Sequence, residues 1–232
     1  MKINYQKIDN GASIGIVGLG MMGSSIATAL LIKGKKIVAL SSTDTKIDLE
    51  APERIKKSLL ECINKGLTNK AQLELLENIH FTSDYADLRS CWLVMECVIE
   101  DLNIKKEVYS RIENNVDDTV IITSNTSAIP ISILQNHLRI AERFYGLHWS
   151  EPAYTSRFLE IICGKKSLVE VGEQLYIIAK SWGKEPTLVR KDIMGFITNR
   201  IMYAMYREAI HLVENGYATI EDVDRACKND GG

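Results

Sequence analysis

The sequence predicts an α/β protein: a doubly wound, mostly parallel sheet over residues 1–189, followed by an all-helical segment over 190–232. Three observations carry this. Short apolar, β-branched runs alternate with helical patterns through the first 190 residues, the signature of a parallel sheet flanked by helices. A glycine-rich loop at Gly18 to Gly23 joins the first such run to the first helical pattern. After Val189 no strand pattern recurs, and helical periodicity alone remains.

Taken in order, residues 13–17 form a strand, and residues 24–33 a helix closed by Gly34. Residues 36–40 are a second strand. Residues 52–65 have helical spacing, with Ile55, Leu59, Leu60 and Ile63 on one side, and stop at Gly66. Residues 72–78 read as a short helix. A buried strand spans 92–99, and a helix 104–112. Residues 119–123 are a strand, and a short helix opens after Pro130. Strands follow at 144–148 and 158–162, then a helix over 172–181 ending near Gly183. The final segment reads as one long helix over 193–216, carrying Ile197, Ile201, Met205 and Leu212, and a further helix capped by Thr219 with Asp222.

Composition narrows the functional classes. Of 232 residues, 46% are hydrophobic and 25% charged, the balance of a folded globular chain. A net charge of −2 gives no global pull toward nucleic acid or an anionic membrane. Residues 13–32 lack any charge and mimic a membrane span, but four glycines and a serine pair argue for strand, turn and buried helix, so no membrane partner is expected. The five cysteines form no CxxC pair and the four histidines are scattered. Reduced thiols in a cytoplasmic protein, with no metal site, are expected.

Gly18-Leu19-Gly20-Met21-Met22-Gly23 fits G-x-G-x-x-G in the context the pattern requires, after a strand and before a helix. Gly18 permits the tight turn, Gly20 lets backbone N–H groups approach a diphosphate, and Gly23 lets helix and strand pack. The helix N-terminus adds partial positive charge. This is the Rossmann-type dinucleotide loop. The acidic residue that usually ends the second strand to bind ribose is missing: Leu40 is followed by Ser41, Ser42 and Thr43, with Asp44 and Lys46 beyond. Hydroxyls bind a ribose and tolerate a 2′-phosphate, so NAD is expected with NADP not excluded.

Polar residues stand at later strand ends, where such sheets place their sites. Ser124-Asn125-Thr126-Ser127 follows one strand, His148 another, Glu160 lies inside an apolar run, and Asn199 opens the long helix. A buried carboxylate beside a histidine is a general-base arrangement; each residue alone reads equally as an ordinary structural polar group. Together S-N-T-S, G-L-H, L-E-I-I and G-F-I-T-N-R, with V-M-E-C-V-I-E-D-L-N-I-K at 94–105, resemble the L-3-hydroxyacyl-CoA dehydrogenases, including the 3-hydroxybutyryl-CoA dehydrogenases and lambda-crystallins.

The resemblance implies roles. His148 takes the proton of the 3-hydroxyl and Glu160 orients it. Ser127 and Asn199 hydrogen-bond the reacting oxygens and thioester. Glu100, Lys105 and Asn125 line the nicotinamide side of the cofactor. Ser58 and Lys65 contact coenzyme A, although Lys65 reads as well as a solvated helix end. A homodimer through the helical domain is also implied. So is a helical domain running well past Gly232, which would make this chain truncated or naturally short.

Two departures qualify the substrate. The usual H-F-F-N-P is here His148-Trp149-Ser150-Glu151-Pro152, so Glu151 replaces an asparagine at the substrate. A carboxylate there repels an anionic group and suits a cationic or hydroxylated one. The following Tyr154-Thr155-Ser156-Arg157 is unusually polar, with Arg157 placed to neutralise Glu151. The expected activity is therefore hydride transfer between a nicotinamide cofactor and the C3 hydroxyl or ketone of a 3-hydroxyacyl thioester. The alternatives are a non-CoA hydroxy acid, a carrier-protein thioester, or a catalytically idle dinucleotide-binding protein.

Overall fold

The uncharged stretch at residues 13–32 is a strand and a helix rather than one apolar span. The computed structural model describes residues 11–41 and 50–229. Strand β1 (Ser13–Val17) ends at Gly18, and helix α1 (Met21–Leu31) begins three residues later. The helix opens earlier than its expected start at residue 24, because Gly20 takes an extended N-cap conformation and releases Met21 into the first turn. Among the described residues no helix is long and apolar enough to cross a membrane.

The chain divides into two units, Met1–Met194 and Gly195–Gly232. In the first, β2 (Ile37–Leu40) is followed by α2 (Ala51–Asn64), which buries Ile55, Leu59 and Cys62 at helical spacing. Leu60, expected on that face, is exposed. Helix α3 (Gln72–Leu76) leads into β3 (Ile79–Thr82). Strand β3 was not expected: four residues at a sheet edge, three half-buried and His80 exposed, give too short a pattern to stand out.

Strand β4 (Cys91–Glu96) is buried throughout and stops before the expected residue 99. Helix α4 (Leu102–Glu113) is capped by Asp101, whose Oδ1 accepts the N–H groups of Asn103 at 2.9 Å and Ile104 at 3.0 Å. The remaining elements are β5 (Ile121–Ser124), α5 (Ile131–Leu134), β6 (Phe144–Trp149), β7 (Phe158–Cys163), α6 (Val169–Ser181) and β8 (Glu185–Val189).

The strands form one eight-stranded sheet in the order β3-β2-β1-β4-β5-β6-β7-β8. Strands β1 to β6 pair in parallel; β7 is antiparallel to β6, and β8 parallel to β7. The chain winds outward in both directions from β1 and β4, so a crevice opens at their carboxyl ends. The core packs Ile14, Ile16, Leu30, Leu93, Leu147 and Ile161.

In the second unit, α7 (Thr198–Glu214) and α8 (Ile220–Asn229) bury no residue. Helix α7 starts later than the expected residue 193 because Gly195 and Phe196 adopt left-handed backbone, φ 76° and 52°. Thr219 caps α8 as expected, its Oγ1 accepting the Asp222 N–H at 3.2 Å.

Candidate functional site

Five strand ends build the crevice, those of β1, β2, β4, β5 and β6. At the first, Gly18 has φ 92°, and a Cβ there would meet the Cys97 main chain at 3.0 Å. A Cβ on Gly23 would lie 2.0 Å from the Gly18 carbonyl oxygen, so α1 can pack on β1 only without one. Gly20 differs: a Cβ there would meet nothing within 4 Å. The protein's own packing does not ask for that glycine, whereas a diphosphate lying against the backbone does. No acidic residue occupies the first turn of α1, and Gly20 gives no side-chain cap, so the helix end suits an anion. Arg54 of α2 braces the loop, donating to the Leu19 carbonyl at 2.9 Å and to Ser24 Oγ at 3.2 Å.

Ser41 stands directly after β2, half-buried, its N–H on the Thr82 carbonyl at 2.9 Å. Ser42, Thr43, Asp44 and Lys46, weighed for the ribose end, lie outside the described residues.

At the end of β4 lies a carboxylate that the motifs above do not single out. Glu96 is fully buried and accepts from Lys105 Nζ at 2.8 and 3.0 Å, Tyr109 Oη at 2.8 Å, Ser124 Oγ at 2.7 Å and the Val98 N–H at 2.8 Å. Its signal was present: a lone carboxylate closing an apolar run, the same signal that marked Glu160. Lys105 also reaches Glu100 Oε2 at 3.1 Å. Burial opposes its charge, but Glu96 and Glu100 outweigh burial and hold its pKa above the ordinary range. Lys105, which the resemblance places on the nicotinamide side, is 1% exposed and is held by Glu96 and Glu100. Burial likewise opposes the charge of Glu100, yet Thr126, Lys105 and the Ser127 N–H hold its pKa down. Glu100 Oε1 accepts Thr126 Oγ1 and the Ser127 N–H, the latter at 3.2 Å.

Asn125 and Ser127 follow β5. Asn125 Oδ1 accepts the Trp149 N–H at 3.0 Å, tying β5 to the residue after His148. His148, at the end of β6, stands opposite Glu160 in the antiparallel ladder. Its Nδ1 lies 2.9 Å from Glu160 Oε2. Glu160 is fully buried, and Phe158 sets its ring edge-on to the imidazole at 5.3 Å. A carboxylate only accepts, so Nδ1 donates and the ring lone pair belongs to Nε2. The structure thus brings His148, Glu160, Asn125, Ser127 and Glu100 to one end of the sheet.

The loop between β6 and β7 corrects one expectation. Arg157 does not neutralise Glu151; it pairs with Glu185, whose N–H also donates to the Arg157 carbonyl at 2.8 Å just before the β7–β8 ladder begins. Glu151 is instead hydrogen-bonded by Ser25 of α1, while burial raises its pKa overall. Ser25 Oγ also accepts the Ala153 N–H at 2.7 Å. Lys65, the C-cap residue of α2, pairs with Glu61 at 2.6 Å, and Tyr154 Oη donates to the same carboxylate at 3.0 Å. Ser58 is half-buried and close enough to Tyr154 to influence its hydroxyl. Asn199 is the second residue of α7, in the helical unit.

This arrangement has counterparts. Residues 13–193 match the NAD binding domain of 3-hydroxyacyl-CoA dehydrogenase, and residues 195–232 its C-terminal domain. The 5-formyl-3-hydroxy-2-methylpyridine 4-carboxylate 5-dehydrogenase of Mesorhizobium japonicum is 34% identical, over 91% of this chain and 68% of that protein. A probable 3-hydroxybutyryl-CoA dehydrogenase of Deinococcus radiodurans is 33% identical, over 92% and 76%. The crystal structure of (S)-3-hydroxybutyryl-CoA dehydrogenase from Ralstonia eutropha superposes with a TM-score of 0.87 at 31% identity, covering 94% of this chain and 77% of that one. With two family domains matched end to end on a dinucleotide loop, the chain belongs to the 3-hydroxyacyl-CoA dehydrogenase family, NAD-dependent oxidoreductases acting on CH–OH groups.

Proposed function

We propose that the chain interconverts the C3 hydroxyl and ketone of a 3-hydroxyacyl thioester, with His148 as the proton acceptor. The His148–Glu160 pair carries the reading. Glu160 holds the tautomer that leaves Nε2 basic, and stabilises the imidazolium once a proton arrives. In this reading Ser127 and Asn199 hold the reacting oxygens, and Asn125 and Glu100 face the nicotinamide. Gly18 to Gly23 hold the diphosphate, and Ser41 the ribose, where its hydroxyl also admits NADP. Bound NAD supplies the hydride acceptor. Ser58 and Lys65 meet the coenzyme A end. Relatives named as the alpha subunit of a fatty acid oxidation complex support a place in fatty acid metabolism.

A second reading keeps the chemistry and changes the substrate to a hydroxy compound without coenzyme A, or on a carrier protein. Three observations favour it: Glu151 in place of asparagine, Lys65 already engaged by Glu61, and a relative named for a pyridine carboxylate. NADH formation with L-3-hydroxyacyl-CoAs and with free hydroxy acids separates the two. Turnover of the thioesters, lost in His148→Ala, is the expected result. Turnover of free acids alone establishes the second reading; none at all leaves an idle binding protein.

Exposed Ile201, Met205, Tyr206 and Ile210 on α7 support a homodimer through the helical unit. Five free thiols support a cytoplasmic location.

A further inference from the structure

Lys184 lies between α6 and β8, only 6% exposed, and plays no part in the chemistry above. Its Nζ donates to the carbonyl oxygens of Ala153 and Ser156, and lies 4.9 Å from the centroid of the Trp149 ring. Its recorded partners are thus two main-chain carbonyls and an aromatic face, with no carboxylate among them. A buried cation satisfied in this way acts on the backbone it grips.

That backbone is the β6–β7 loop, which begins after Trp149, the neighbour of His148. The loop has other anchors on the cofactor and substrate side. The Ala153 N–H is held by Ser25 of α1, and Tyr154 Oη by Glu61 of α2. Trp149 itself is fixed by Asn125 through its N–H and stacks on Trp182 at 5.9 Å. Lys184 grips the loop at two points that bracket Tyr154. Glu151 hangs between Trp149 and the first of them.

We propose that Lys184 is a positioning residue: by holding the main chain at Ala153 and Ser156 it sets where Glu151 and Tyr154 stand relative to His148, and so sets substrate affinity. The proposal rests on reading this loop as the substrate-side wall of the site.

The test compares Lys184→Met, which keeps the stem but loses the donors, with Lys184→Gln and Lys184→Arg, in the full chain with saturating NAD. For whichever hydroxy substrate turns over, the Met variant raises KM about tenfold while kcat changes less than about threefold, Gln is intermediate, and Arg restores KM. Amide hydrogen exchange is measured on the same proteins without substrate. Residues 150–157 exchange faster in Met than in wild type or Arg, and the segments around Gly18 to Gly23 do not change. Unchanged exchange in the Met loop overturns the proposal even if no substrate is ever turned over. So does a fall in kcat with KM unchanged, or an equal loss in Met and Arg. Absence of turnover with the expected exchange pattern counts against the function reading and leaves the positioning role standing.

Discussion

Lys105 and Glu96 form an ion pair, Nζ to Oε1 at 2.8 Å, in which neither side chain reaches solvent. Removing one partner strands the other charge in the interior. Glu96→Ala should therefore cost about 3–5 kcal/mol, measured by urea unfolding. Replacing both at once, as Glu96→Leu with Lys105→Met, should recover part of that loss. A single variant as stable as wild type would show that the pair contributes nothing to the fold.

Glu160→Gln should lower kcat at least about a hundredfold while leaving NAD binding intact, because an amide neither fixes one imidazole tautomer nor stabilises imidazolium. Steady-state kinetics beside a thermal-shift titration with NAD decide this. Undiminished kcat would remove the carboxylate from the mechanism.

Two glycines of one loop should behave differently. Gly23→Ala puts a Cβ against the Gly18 carbonyl, so α1 must move and the melting temperature should drop. Gly20→Ala meets open space, so the melting temperature should hold while NAD stabilises the variant much less than wild type. Equal NAD-induced shifts in wild type and Gly20→Ala would place the diphosphate elsewhere.

Burial, aided by the like charge of Lys33, pulls the pKa of Lys184 down to about 8 from an ordinary 10.5. Between those values the unfolded chain binds the proton and the folded chain does not, so this group adds stability as pH rises from about 8 toward 10.5. That gain fades as pH falls through 8. The difference in unfolding free energy between wild type and Lys184→Met should then change in favour of wild type across this window. A constant difference would mean that the lysine titrates normally.

Much of the sheet was legible because the central strands are mostly apolar and the longer connecting helices bury a regular stripe. Glu160 was legible as a buried or paired carboxylate because it interrupts an apolar run; its pairing with His148 came only from the family resemblance, and the ladder sets the two residues opposite each other. What escaped has physical reasons too. Strand β3 is an edge strand, half-covered and four residues long. Leu60 misled because a single apolar side chain on a surface helix costs little. Arg157 reads as a partner of Glu151 because both lie on one loop, whereas the pairing of β7 with β8 sets Glu185 beside it. Lys184 gave no signal, since its partners are main-chain carbonyls that any sequence would supply.

The reversal of direction at β7 has a consequence for how this protein can vary. His148 and Glu160 face each other only because the loop joining their strands delivers one particular alignment. Shift that alignment by a single residue and Leu159 or Ile161 stands opposite the imidazole, with the carboxylate turned to the far side of the sheet. Substitutions along the loop can therefore retune what the protein accepts, while the loop's length stays under the constraint of chemistry. A lineage of such proteins can drift in residue identity at positions 150–157 far more freely than it can gain or lose one.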